Sequence, residues 1–249
     1  MNIETLKDNI ANYQAWIDDA RARCAPADFP WYRYDSLGNF YHLDNLLKGT
    51  HRDLVALAGG QTIVDIGAAD GDTAFAPARE GFTVEIVDHG PTNINGLRGA
   101  RLLNEHLQTR VAISDVDLDS QFHLPHDRYG LAIFLGILYH LKNPYLVLEN
   151  LALRSKHAIV STRIARHMPR KDRGPNVASV PLAYLLDAGE LNGDATNYWI
   201  FSDAGLKRIF SRTGWDVLDY MTVGDTLESN PIDNDRDERA FALLRSRHV

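Results

Sequence analysis

Residues 61–72 read Gln61-Thr62-Ile63-Val64-Asp65-Ile66-Gly67-Ala68-Ala69-Asp70-Gly71-Asp72. The run Thr62 to Ile66 is apolar and β-branched apart from one acid, which predicts a strand covered on both faces. Gly67 and Gly71 predict a tight turn whose backbone a ligand can approach closely. Thr73 to Glu80 then reads as a helix. Strand, glycine turn and helix in that order open a unit of parallel sheet. Ligands of such sheets sit beyond the carboxyl ends of the strands.

The same alternation continues downstream. Thr83–Val87, Thr109–Ile113, Leu131–Leu135 and Ala158–Thr162 predict four more buried strands, with helices over Leu97–Leu107 and Pro144–Leu153. Residues 165–200 break the rhythm with glycine and proline and show little periodicity. Ser202 then caps a helix carrying Leu206, Ile209 and Phe210 on one face and Gly214 past its end. Trp215–Val223 and Ala240–Arg245 read as an antiparallel pair, and Asp233–Glu238 between them as a solvated turn. Upstream, Leu6, Ile10, Tyr13, Ile17 and Ala20 predict one amphipathic helix over Ile3–Cys24. An aromatic stretch, Phe29 to Tyr34, and a helix containing His42, Leu43, Leu46 and Leu47 follow. The chain divides into an N-terminal helical and aromatic extension or lid over 1–50 and an α/β domain over 51–249. The latter carries a substrate insertion at about 165–200.

A hydrophobic share of 45% over 249 residues is enough for a substantial core. No run of about eighteen apolar residues is present to span a membrane. The opening MNIETLKDNIANYQAW contains acids and no secretory-type apolar stretch, so a cytoplasmic protein is expected. The single cysteine, Cys24, offers neither an internal disulfide nor a metal framework. With 26 basic and 33 acidic residues the net charge is −7, which disfavours a phosphate-backbone binder. The exception is a local basic cluster, Arg163, Arg166, Arg170, Lys171 and Arg173, which suits an anionic acceptor.

The turn at 65–71 has the pattern acid-x-Gly-x-x-x-Gly, without the third glycine of a pyrophosphate-binding fingerprint. A nicotinamide dinucleotide is therefore not expected. Acids stand where a nucleoside would need them. Asp88 ends the second strand, where a carboxylate accepts ribose hydroxyls. Asp115 follows the third strand, placed for an adenine amino group, with Val116 to pack on the ring and His89 and Ser114 alongside. Any one of these acids could be a solvated strand end. The ordered set Asp65, Gly67, Ala68, Gly71, Asp88, His89, Ser114, Asp115 and Val116 fits S-adenosylmethionine, which has a ribose, an adenine and an ammonium but no phosphate.

Motif and order resemble the class I S-adenosylmethionine-dependent methyltransferases, over about residues 50–249. This implies a Rossmann-like sheet of five parallel strands plus a C-terminal antiparallel hairpin, with helices on both faces. Three further stretches are Phe134-Leu-Gly-Ile-Leu-Tyr-His-Leu-Lys-Asn-Pro144, Asn197-Tyr-Trp-Ile-Phe-Ser-Asp-Ala-Gly-Leu-Lys207 and Asp237-Glu-Arg239. Together they resemble the family of the bacterial tRNA wobble-uridine carboxymethyltransferase. That likeness implies that Gly136 and Tyr139 border the transferred group; Leu135 and Gly136 are also candidate donor contacts. The N-terminal region is shorter than in those tRNA enzymes and offers only Arg33 and Lys48 as bases near the aromatics. Plain S-adenosylmethionine is therefore expected, not its carboxylated form.

A sulfonium methyl is already activated, so alignment of the reactants is the main task. His140 is the candidate base for a hydroxyl acceptor, with a loop-fixing histidine as the alternative. Trp31, Tyr34, Arg163, Arg166 and Tyr198 are the candidate acceptor contacts. No metal is expected, since His123, His126 and Asp127 lack a second ligand pair, and Asp187, Glu190 and Asp194 read as a solvated loop. The expected activity is O-methylation of a small molecule, a natural product or a sugar. The alternatives are a tRNA wobble-uridine modifying enzyme and a noncatalytic S-adenosylmethionine-binding sensor or partner subunit. Nothing in the sequence sets an oligomeric state.

Overall fold

The computed structural model describes residues 1–170 and 174–249. Lys171 and Arg173 of the basic cluster therefore lie outside the described residues. The chain forms two compact units, Met1–Ile133 with Arg154–His157, and Phe134–Leu153 with Ala158–Val249.

The first unit begins with two helices, α1 (Ile3–Asp8) and α2 (Ile10–Cys24), where the periodicity predicts one. The break falls at Asn9, whose side-chain amide donates to the Thr5 carbonyl at 2.8 Å and competes with the helical ladder. The apolar positions Leu6, Tyr13, Ile17 and Ala20 are nonetheless buried as their spacing requires. Helices α3 (Asn39–Leu46) and α4 (Leu54–Ala58) lead into β1 (Ile63–Ile66). Then come α5 (Asp72–Arg79), β2 (Val84–Asp88), α6 (Arg98–Leu107), β3 (Ala112–Asp115) and β4 (Tyr129–Leu135). The strand order is β3-β2-β1-β4. The β1–β2, β1–β4 and β2–β3 pairs are all parallel, with Asp65 opposite Ile86 and Asp88 opposite Asp115. Strand β3 starts three residues later than its β-branched pattern suggests. Gln108 and Arg110 both adopt left-handed backbone, and the Asn104 side chain bonds both the amide and the carbonyl of Val111. A strand cannot pass through such a turn.

The second unit contains α7 (Pro144–Ala152), the greater part of β5 (Ser155–Ala165), β6 (Ala183–Leu185), β7 (Trp199–Ser202) and α8 (Asp203–Arg212). It closes with β8 (Trp215–Gly224) and β9 (Glu238–Ser246), an antiparallel pair with a bulge between Val217 and Asp219. Strand β7 runs parallel to β5 and antiparallel to β6, and β9 also pairs with β5. The architecture is thus a mixed, mostly parallel sheet with helices and a C-terminal hairpin. Strands β6 and β7 arise within the stretch that showed no periodicity, because three- and four-residue strands are too short to register a period. Ser202 caps α8 as its position predicts, accepting from the Gly205 amide at 3.0 Å. The turn before β9 is less solvated than its composition implies, since Glu238 is completely buried. Its carboxylate instead receives Arg166 and Ser229.

Trp215 is fully buried at the start of β8, and its indole N–H donates to the Leu148 carbonyl at 2.9 Å. Trp215→Ala is expected to cost about 3–5 kcal/mol, from lost transfer energy, a cavity and an orphaned carbonyl. Val217→Thr, at an exposed position of the same strand, should stay within about 0.5 kcal/mol. Urea unfolding of the two variants beside the parent protein measures both.

Candidate donor and acceptor sites

In the first unit the chain leaves β1 through a loop held in left-handed backbone at Gly67 (φ 70°), Ala69 (φ 55°) and Gly71 (φ 91°). One carboxylate closes this loop. Asp88 accepts from the Ala69 amide at 3.1 Å, the His89 amide at 2.7 Å and the Asn93 side chain at 3.2 Å. Asn93 also donates to the Ala69 carbonyl. Burial holds the Asp88 carboxyl above the usual range despite these donors. Asp65 lies beneath the loop, 3% exposed. Its Oδ2 has no hydrogen-bond partner among the described residues. Burial first, and then Asp88 and Asp72, push its pKa up to about 8. A Cβ on Gly71 would sit 2.8 Å from both Ile86 Cδ1 and Phe75 Cε2. That glycine therefore serves backbone conformation and helix-on-sheet packing, more than the ligand approach its spacing suggests.

The rest of the predicted nucleoside set surrounds the ends of β2 and β3. The Val116 amide donates to the Asp88 carbonyl, and Asp115 Oδ1 accepts from the Gly90 amide at 2.8 Å. His89 Nδ1 is 3.4 Å from the Thr92 hydroxyl. Ser114 turns elsewhere: its hydroxyl donates to Glu85 at 2.9 Å, and Tyr129 donates to the other oxygen of the same buried carboxylate. Among the N-terminal aromatics, Trp31 packs on Phe29 with ring centroids 4.4 Å apart, and Tyr34 is 74% exposed. Tyr32, which the sequence reading passed over, is the one bonded to the loop. Its amide donates to Asp70 Oδ2 at 2.7 Å, and its hydroxyl accepts from the Ile94 amide at 3.0 Å. No sequence signal separates it from its two aromatic neighbours.

In the second unit Gly136 (φ 75°) follows β4, its amide donating to the Ser161 carbonyl at 2.9 Å. A short 3-10 helix, Leu138–His140, comes next. Tyr139 packs on a cluster of Ala165, Leu186, Leu191 and Ile200, and its carbonyl accepts from the Tyr198 amide. A Cβ on Gly136 would be 3.7 Å from Arg239 Nη1 and 3.8 Å from the Tyr139 hydroxyl. Arg239 Nε also pairs with Asp237 Oδ2 at 3.6 Å. Gly136, Tyr139 and Arg239 thus converge. Arg239 was visible in the sequence only as part of a motif, because its place depends on the β8–β9 register that sets it opposite Val223.

His140 Nδ1 lies 3.1 Å from the Thr196 carbonyl and 3.0 Å from its hydroxyl. The Thr196 hydroxyl hydrogen goes to Asp194 at 2.6 Å. Thr196 therefore presents only acceptors to the ring, which assigns the imidazole hydrogen to Nδ1 and leaves the lone pair on Nε2. Burial lowers the His140 pKa against the opposing pull of Thr196 and Asp194, favouring the neutral ring. The contact with Thr196 anchors the loop and leaves Nε2 with its lone pair.

Arg163 and Arg166 are committed elsewhere. Arg163 is buried, donates to the Asn230 and Asp233 carbonyls and pairs with Asp237 at 3.1 Å. Arg166 grips Glu238 through Nε at 2.9 Å and Nη2 at 2.6 Å. Both fasten residues 229–238 to β5 and present no free guanidinium to an acceptor. Tyr198 has the Lys142 ammonium 5.7 Å from its ring centroid. Among the described residues no group of three or more His, Cys, Asp or Glu is arranged to hold a metal. No helix among them is long and apolar enough to cross a membrane.

Solved structures share this architecture. The N-terminal domain of EvdMO1, crystallised with SAH bound, is 16% identical and superposes with a TM-score of 0.58 over 94% of this chain and 97% of that one. The [4+2]-cyclase SpnF gives 0.57 at 16% identity over 97% and 94%. BH2331 of Bacillus halodurans gives 0.53 at 14% identity over 77% and 95%. At such identities the likeness concerns the fold alone. No curated protein matches the sequence. The family model described as a methyltransferase domain matches residues 40–220. That stretch contains the glycine loop, the Asp88 carboxylate and the Gly136–His140 segment, and the chain belongs to this methyltransferase family, whose donor is S-adenosylmethionine.

Proposed function

We propose that the protein transfers the methyl group of S-adenosylmethionine to an oxygen of a small-molecule acceptor. The observation that carries this reading is the acid set of the glycine loop. Asp65 and Asp88 are buried there, and Asp65 keeps one oxygen without a partner. Acids here suit a cationic nucleoside, whose charge favours their ionised form, and disfavour a pyrophosphate. Asp65, Gly67, Ala68, Asp88, Asp115 and Val116 would hold the donor, which supplies an electrophilic methyl on its sulfonium. Leu135, Gly136 and Tyr139 border the transferred group. Arg239, near Gly136 and Tyr139 and paired with Asp237, is the remaining arginine for the anion-recognition role that the sequence suggested for Arg163 and Arg166. His140 accepts the acceptor's hydroxyl proton at Nε2, with Thr196 and Asp194 holding its tautomer.

A small acceptor is favoured over RNA because two arginines of the basic cluster are tied up in ion pairs, and the net charge is −7. EvdMO1 was also crystallised in the presence of SAH and D-fucose, which supports a sugar or sugar-bearing acceptor. SpnF, a [4+2]-cyclase, shows that a shared fold does not dictate the reaction. The donor test must therefore precede the acceptor search.

Thermal unfolding with S-adenosylmethionine, S-adenosylhomocysteine, the carboxylated donor and NAD in parallel supplies that test. At a hundredfold excess over its dissociation constant a native-state ligand adds about 2.7 kcal/mol. Stabilisation by the first two alone is the expected result, whereas a response confined to NAD would refute the reading. Bulk tRNA binding that is tight and salt-sensitive would redirect the acceptor search to RNA.

Asp65 carries a pH signature. Its pKa is 3.8 in ordinary surroundings and about 8 in the fold, so ionisation costs the native state increasingly between those values. Asp65→Asn removes that cost. The ligand-free variant should gain stability over the parent as pH rises from about 4 to about 8, while binding S-adenosylhomocysteine more weakly. The same stability difference at both ends of that range would rule out the burial account. His140→Ala should leave donor binding intact and lower turnover by about 10²–10⁴-fold once an acceptor is found. Undiminished turnover would leave His140 as a loop anchor only.

A further inference from the structure

We propose that Arg21 is a positioning residue for the donor loop, although it lies on α2, ahead of the region shared with the methyltransferase family. The proposal rests on the donor reading above and extends the donor site into the N-terminal segment.

Two acids flank Gly71 at the end of the loop, and both are withdrawn from solvent: Asp70 is 2% exposed and Asp72 is 4% exposed. Burial pushes both carboxyls up, and Arg21 opposes that rise at each. Arg21 Nη2 donates to both oxygens of Asp72 at 2.7 and 2.8 Å and lies 3.9 Å from Asp70. The guanidinium also sits over Trp31, 5.4 Å from the ring centroid. Asp70 is completed from two other directions, by the Tyr32 amide at 2.7 Å and the Asn95 side chain at 2.8 Å. Asn95 donates to the Pro30 carbonyl as well. One guanidinium thus fixes the far side of a loop whose near side is closed by Asp88.

The loop needs this support. Three of its five residues from Gly67 to Gly71 are in left-handed backbone, and one of them is Ala69, whose Cβ makes that conformation unfavourable. Without Arg21, two adjacent buried carboxylates lose their counter-ion. They then either take up protons or turn toward water, which moves Ala69 and Gly71 with them, and in both cases the loop's hydrogen bonding changes. Stability alone does not account for the arrangement. The Arg21 Nε is buried without a hydrogen-bond partner, and buried pairs of this kind contribute little net stability. Lysine replaces it only in part, since the planar guanidinium reaches the two loop acids through Nη2 while Nη1 donates to Asp18 at 3.1 Å and the plane lies over Trp31.

Calorimetric titration with S-adenosylhomocysteine tests the proposal on the parent, Arg21→Met, Arg21→Lys and the Arg21→Met/Asp72→Asn double variant. Unfolding curves of the ligand-free proteins run alongside. Arg21→Met is expected to weaken binding about tenfold, and Arg21→Lys by a smaller factor. The double variant, which removes the uncompensated charge, should recover most of the loss. Native affinity in Arg21→Met would overturn the proposal. So would a double variant as weak as the single one, since packing on Trp31 would then be what matters. If Arg21→Met does not fold, Arg21→Lys carries the test, and native affinity there is the overturning result. A parent protein that fails to bind S-adenosylhomocysteine would defeat the donor reading and leave no donor loop for Arg21 to position.

Discussion

Asp88 receives the Ala69 amide, the His89 amide and the Asn93 side chain, and the first unit is organised around that convergence. The carboxylate holds a loop in left-handed backbone that would otherwise relax, and it does so from the end of the neighbouring parallel strand. Its partners come from two elements, so the loop's closure depends on β1 and β2 being paired in register. Asp65 beneath it is a consequence of the same geometry. Once the loop is closed overhead, the strand acid is shut away from water and retains its proton far above the usual range. The two acids are therefore unlike in character, one saturated with donors and the other with an open oxygen.

The second unit solves a different problem. A long β5 and the terminal hairpin must be joined to the irregular segment at 229–238, and arginines do this by donating to carbonyls and carboxylates that lie far away in sequence. Arg163 and Arg166 are spent in this way, whereas Arg239 remains beside Tyr139 and Gly136. The chemistry of a guanidinium is the same at all three positions. Partners and burial distinguish them: Arg163 and Arg166 brace groups far away in sequence, whereas Arg239 pairs with Asp237 two positions away. His140 shows the same economy at a smaller scale, where a single hydrogen bond to Thr196 both anchors the turn and sets the tautomer.

Much of the framework was legible before any coordinates. Strands β1, β2, β4 and β5 and helices α5 to α8 follow from apolar periodicity and caps, because each is long enough to repeat its pattern. The misjudged boundaries have local causes: an asparagine side chain competing at Asn9, and left-handed residues ahead of β3. Strands β6 and β7 escaped because they are short and are defined by their pairing partners. At the candidate donor site the acids and glycines stand out in the sequence as an ordered set. Tyr32, Asn95 and Arg21 were not, since nothing in an aromatic run or a helical arginine records which distant carboxylate it meets.

The sequence by itself determined the alternation of strand and helix, the acid-glycine turn and the family to which the chain belongs. These depend on residues near one another in the chain, where periodicity, backbone conformation and capping act directly. Tertiary structure decided the fate of each charge. Arg21 reaches Asp72 across 51 positions, and Arg166 reaches Glu238 across 72. The strength and purpose of an ion pair depend on burial and on competing partners. Those exist only once distant segments have been brought together.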